Sequence, residues 1–194
     1  EGSTAIMFVK VTDNLIDNVV PEQIKDFVLA HLIAHGDMLV YNHFADKTRY
    51  FKDDFLGMLK SIDAYFIGDT KDVAYIYFRN CAVKVTPPGI EMIDYIDLGG
   101  YVCREQIINR DFQISDDTDC DFAQFISNVA GKNPVNVDSI ESTIGFLLHG
   151  YKNRSYCPAV IINDEILSEH PEGGTGKGLF VNGVSQMKKV VTID

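Results

Sequence analysis

The stretch PAVIINDEILSEHPEGGTGKGLFVNGVSQMKKVVTID, residues 158–194, decides how the chain is read. Ala159 to Asn163 is a short apolar run rich in β-branched residues, the composition of a buried strand. A glycine-rich segment with one lysine follows, then GLFVNGVSQMKK with the character of a helix, then VVTID as a second apolar run. That order predicts the first βαβ unit of a phosphate-loop α/β core. A loop that holds phosphate turns backbone N–H groups into a concavity, which glycine permits because positive φ costs it little. It also needs a lysine for the terminal phosphates and a helix N-terminus behind it, where unpaired N–H groups and the macrodipole favour an anion.

Gly173, Gly174 and Gly176 supply the concavity, Lys177 the cation, and the segment from Gly178 onward the helix. The candidate nucleotide-binding residues are therefore Gly173, Gly174, Thr175, Gly176, Lys177 and Gly178, with Lys177 placed to stabilise the β- and γ-phosphates in catalysis. Two positions depart from G-x-x-x-x-G-K-[ST]. Pro171 stands at the first glycine, and Gly178 stands where a hydroxyl would hold Mg²⁺. Glu165 to His170 also lengthen the connection between strand and loop. Thr175 is the loop's one hydroxyl. The plainer alternative is a surface turn with an incidental lysine.

Upstream, the pattern is α+β. Pro21 and Glu22 open PEQIKDFVLAHLIAH, in which Ile24, Phe27, Val28, His31 and Leu32 recur at helical spacing. A second helix is expected from Tyr50 to Ile62, with Phe55, Met58 and Leu59 on one face. Between Val73 and Tyr95 the residues turn β-branched and aromatic, broken at Asn80 and at Pro87-Pro88-Gly89, which predicts two or three short antiparallel strands. GGYVCREQIINRDF adds a further strand. Helices are expected at Phe122–Ala130 and Ser139–His149, the first opening among aspartates that suit a helix N-terminus. The polar QISDDTDCD makes the best internal boundary, giving an accessory domain over 1–112, a linking helical segment over 113–155 and the start of the core over 156–194.

The 194 residues carry 17 Lys plus Arg against 28 Asp plus Glu, a formal charge of −11, which opposes non-specific adhesion to a phosphate backbone. Any nucleic-acid contact must be local or supplied by other parts of a larger protein. No apolar run approaches the roughly 18 residues of a membrane span. The four cysteines, Cys81, Cys103, Cys120 and Cys157, lie far apart without a CxxC pair, which reads as reduced thiols in a cytoplasmic protein.

At this point the residues resemble a known family, the primase-helicases of phages and bacterial mobile elements, whose motor is a superfamily 3, AAA+-like helicase. YFRNCAVKVTPPGIEMIDYIDLGGYVCREQIINRDF is similar to the region before the motor. FAQFISNV and IESTIGFLLHGYKN resemble its helical lead-in, and AVIINDEILSEHPEGGTGKGLF resembles the start of its ATPase core. The resemblance implies a hexameric ring that hydrolyses ATP with Mg²⁺ to separate DNA strands during replication, with Gly174, Thr175, Gly176 and Lys177 matching the phosphate-binding motif. It also implies an acidic pair, a polar sensor and an arginine beyond Asp194. The expectation is thus a part of a longer protein, inactive or nearly so as an ATPase by itself.

Other constellations take plainer readings. His31 and His35 stand at i and i+4, a spacing that can ligate metal, with His43 nearby, yet no carboxylate or cysteine completes a recognisable site. Asp117, Asp119 and Asp121 alternate like a calcium loop, but Phe122 and Asn128 occupy the positions of its glycine and its bidentate glutamate. Tyr75 and Tyr77 near Arg79 suit base stacking, and suit sheet packing better. Lys152, Arg154, Lys188 and Lys189 read as solvated helix ends, or at most as local contacts to other subunits or DNA. Two other function classes remain: a non-catalytic oligomerisation or loading module with an unformed glycine loop, and a winged-helix DNA-binding regulator built from Pro21 to Thr86, which the net charge disfavours.

Overall fold

The computed structural model describes residues 7–115, 120–163, 174–191 and 193. Gly173, Pro171, Glu165 to His170, Asp117 and Asp119 lie outside the described residues. The chain packs as two units, one within Glu1–Ile67 and Tyr95–Gln106, the other within Gly68–Asp94 and Ile107–Asp194. Both are built from short strands and helices, so the α+β expectation holds. The polar stretch around residue 113 lies inside the second unit.

The first unit contains a hairpin ahead of its helices. Strands β1 (Val9–Thr12) and β2 (Leu15–Asn18) pair antiparallel around Asp13 and Asn14, whose φ values are +48° and +62°. A two-residue hairpin turn of type I′ needs left-handed backbone at both central positions, and Asp and Asn tolerate it best after glycine. The Asn14 amide nitrogen donates to the carbonyls of Tyr95, Ile96 and Leu98 at 3.0, 3.1 and 3.0 Å, and its backbone oxygen accepts from Val102 N–H at 3.0 Å. That stitching brings β6 (Val102–Cys103) parallel against β2. Leu15, Ile16, Tyr95, Leu98 and Val102 are buried.

Helix α1 (Pro21–Ala34) starts where Pro21 predicts, with Gln23 Oε1 accepting from Val20 N–H at 2.9 Å. It buries no residue; Ile24, Val28 and Leu32 are half-covered, and Phe27 is exposed. Helix α2 (Met38–Ala45) follows. The single helix expected over Tyr50 to Ile62 is instead a 3-10 turn, Thr48–Phe51, and a one-turn helix α3, Asp53–Leu56, because Lys52 between them is extended. The buried side chains there are Phe51 and Leu56, while Phe55, Met58 and Leu59 face outward.

The second unit holds the predicted meander: β3 (Ala74–Tyr77), β4 (Ala82–Thr86) and β5 (Gly89–Ile93), in the order β3-β4-β5. Phe78, Cys81 and Val83 form its core, with Ile76, Val85, Ile108, Phe112 and Met187 packed against them. Helix α4 (Asp121–Val129) matches expectation. Helix α5 (Pro134–Leu148) begins five residues earlier than the Ser139 start read from periodicity, because Asn133 Oδ1 caps Val135 N–H at 3.0 Å and Pro134 takes the first helical position.

The predicted βαβ unit needs correction. Its helix forms as α6 (Lys177–Ser185), but Ala159 to Asn163 is irregular and exposed, and neither Val190 nor Val191 joins a sheet. A buried parallel strand exists only with neighbours that complete its ladder and cover its faces, and none of the described residues pairs with these segments. Among the described residues no helix is long and apolar enough to cross a membrane.

Candidate functional site

The glycine loop meets α6 in a conformation that only glycine adopts without strain. Gly174 has φ +101°, and Gly176, the residue capping α6, has φ +92° and ψ −3°. The first intrahelical bond runs from Phe180 N–H to the Gly176 carbonyl at 2.9 Å, which leaves the N–H groups of the first turn pointing outward along the helix axis. Lys177 is the first helical residue, and its Nζ donates to Thr175 Oγ1 at 3.0 Å. The predicted residues Gly174, Thr175, Gly176, Lys177 and Gly178 are thus gathered at one helix N-terminus. Gly173, the sixth, lies outside the described residues.

Helix α6 is held by an absence of side chain. A Cβ built on Gly176 would lie 3.0 Å from Phe125 Cε2, and one built on Gly183 would clash with the edge of the Phe122 ring. Gly176 and Gly183 are seven residues apart, two turns along one helix face, and Phe122, Phe125 and Val129 run along the facing side of α4. The two phenyl rings stack with centroids 5.9 Å apart. The other end of α6 is tied by Lys188, whose Nζ donates to the Leu148 carbonyl at 3.0 Å at the C-terminus of α5. Met187 enters the sheet core, where its sulfur accepts from Arg110 Nη2 at 2.8 Å.

A second set of polar contacts anchors the end of α5. Lys152 Nζ donates to the carbonyls of Phe146 and His149 at 2.7 and 2.9 Å, and its ammonium lies 4.0 Å from the Phe146 ring centroid. Lys152 and Lys188 therefore complement the negative end of the α5 dipole rather than standing as solvated helix ends. Burial pulls the Lys188 ammonium below the ordinary lysine range, and the neighbouring Lys152 charge acts in the same direction. Asp69 accepts from Tyr75 N–H at 2.9 Å and from Gly150 N–H, joining this corner to β3. Periodicity gave no sign of Asp69 or Gly183; both act through close approach of backbone.

The remaining constellations have partners of their own. Tyr75 and Tyr77 have near-parallel rings with centroids 6.3 Å apart, but Tyr77 is buried, and Arg79 forms two hydrogen bonds to Asp111 at 2.8 and 2.6 Å. Asp121 is the first residue of α4. His43 stacks on Tyr50, with centroids 5.6 Å apart, while His31 and His35 touch each other on α1. Among the described residues no three His, Cys, Asp or Glu side chains form a metal-binding group.

The arrangement at residues 174–178 can receive an anion: two left-handed glycines at a helix N-terminus, the positive end of the helix dipole, and one ammonium beside them. The chain matches no protein family, no curated protein and no solved structure at a significant level.

Proposed function

We propose that residues 174–178 and the first turn of α6 form the phosphate-binding site of a replicative primase-helicase of superfamily 3 type, belonging to a phage or mobile element. The observation that carries this reading is the pairing of left-handed Gly174 and Gly176 with Lys177 at the first position of α6. In that geometry the main chain cradles phosphate oxygens, and the ammonium, released from Thr175, neutralises the charge that builds on the β- and γ-phosphates. Glycine contacts with α4 fix the helix, so its N-terminus is presented on a rigid support. The residues present fit Mg²⁺ only loosely: Thr175 Oγ1 is the one hydroxyl among residues 174–178, and Mg²⁺ bound there would neutralise phosphate charge in company with Lys177. The reading places the chain in a ring of copies that unwinds DNA, the charge of −11 leaving DNA contact to a local surface or to other parts of the full protein.

Titration calorimetry of ATP with Mg²⁺ tests this directly. The chain is expected to bind, and Lys177→Ala to lose about 1.5–3 kcal/mol of binding, the range for a hydrogen bond to a charged group. Equal binding by the two proteins contradicts the assignment.

A second reading is favoured by a different observation. In the first unit Phe27, Ile33, Leu39, Met58 and Tyr65 are all more than half exposed, Leu39 at 85%. An apolar surface of that kind suits a module that docks onto another protein during oligomerisation or loading.

A further inference from the structure

We propose that His31 and His35 form a binding site for a borderline divalent transition-metal ion, zinc being the ion of reference. The two residues occupy the last turn and the C-cap of α1, and their ring centroids lie 4.0 Å apart at a tilt of 33°. His35 Nδ1 lies 2.9 Å from the His31 carbonyl oxygen. A carbonyl only accepts, so Nδ1 carries the proton, and in the neutral ring Nε2 is left with its lone pair outward. An Nδ1–H bonded to a backbone carbonyl is the arrangement that fixes the tautomer and orientation of metal-ligating histidines. Both side chains are exposed, so with the His35 ring held by its Nδ1–H bond, bringing the His31 ring to the same point needs only rotation of His31 at the helix surface.

Electrostatics favour the same place. The C-terminus of a helix carries the negative end of its dipole, and a dication there is stabilised. Imidazole nitrogen suits zinc, copper and nickel, and not calcium or magnesium, which prefer oxygen. Among the described residues no third His, Cys, Asp or Glu joins the pair, so the ion keeps coordination positions for water or for a ligand from another molecule. This site lies in the first unit and is independent of the glycine loop.

The test is calorimetric titration of zinc chloride into the protein after alkylation of exposed Cys120 and Cys157, which would otherwise compete as ligands. One zinc ion per chain is expected. His31→Ala and His35→Ala should each weaken binding by roughly tenfold or more, and His43→Ala should leave it unchanged. Circular dichroism of the variants confirms that α1 is retained, and the imidazole NMR signals of His31 and His35 should be the ones that shift with zinc. Absence of binding to the alkylated protein, or binding that persists in both His31→Ala and His35→Ala, overturns the proposal.

Discussion

Gly183 has little freedom to change, since a Cβ there meets the Phe122 ring. Gly183→Ala gains about 1 kcal/mol of helix propensity. It must also displace an aromatic ring packed on its neighbour, which costs about 1–3 kcal/mol. The net change is expected to be destabilising. Gly178→Ala, also within α6 but with nothing in reach of its Cβ, should be neutral or stabilising by up to about 1 kcal/mol. Urea unfolding of the two variants should give shifts of opposite sign, or at least a clear ordering. At this scale the sequence was only half legible. Gly174, Gly176 and Lys177 could be picked out because positive φ and phosphate charge demand those residue types. Gly183 could not, because a glycine inside a helix looks the same whether it clears a ring or faces water. Asn14 was equally silent, although the Asp13-Asn14 pair is a recognisable turn signal once a hairpin is suspected.

Elements read well where local rules decide them. The meander from β3 to β5 was visible in its β-branched residues and in Pro87-Pro88-Gly89, and α1 in Pro21 and its periodicity. The Tyr50–Ile62 helix was misread because periodicity carries no sign of the extended Lys52, and the strand at Ala159 to Asn163 because pairing is decided by distant neighbours and not by composition. The segment after β3 illustrates such a distant tie. Arg79 N–H donates to the Arg110 carbonyl at 3.0 Å, Asn80 exchanges two hydrogen bonds with Phe112, and the Arg79 guanidinium holds the Asp111 carboxyl below its usual range by hydrogen bonding and charge. A depressed carboxyl pKa adds stability that is present above the ordinary aspartate range and lost as pH falls through the lowered value. Both side chains are exposed, so the effect on stability is small. The measurable outcome is in titration by NMR: the Asp111 carboxyl should titrate below ordinary aspartates, and Arg79→Ala should return it upward. An unchanged midpoint in Arg79→Ala would show that the pair does not persist in solution.

Across the whole molecule, two compact units carry different parts of the account. The second holds the glycine loop on a helix braced by α4 and α5. The first presents apolar side chains that a lone soluble unit rarely leaves open, and α1 and α2 bury no residue. If that surface meets another protein or another copy, sedimentation should show mass increasing with concentration, and Leu39→Glu should reduce the association without changing helicity. Association unaffected by Leu39→Glu would place the contact elsewhere. Composition made the charge legible, and with it the argument against a broad basic DNA-binding face, but no property of the sequence alone distinguished an amphipathic helix that packs from one that stays open.

The central claim is that the loop ahead of α6 holds nucleotide phosphates, and amide NMR shifts on addition of ATP and Mg²⁺ test it most directly. The account predicts shifts concentrated at Gly174, Thr175, Gly176, Lys177 and Gly178, fading beyond the first turn of α6. Saturating nucleotide that leaves these amides in place, or shifts centred on another part of the chain, would contradict it.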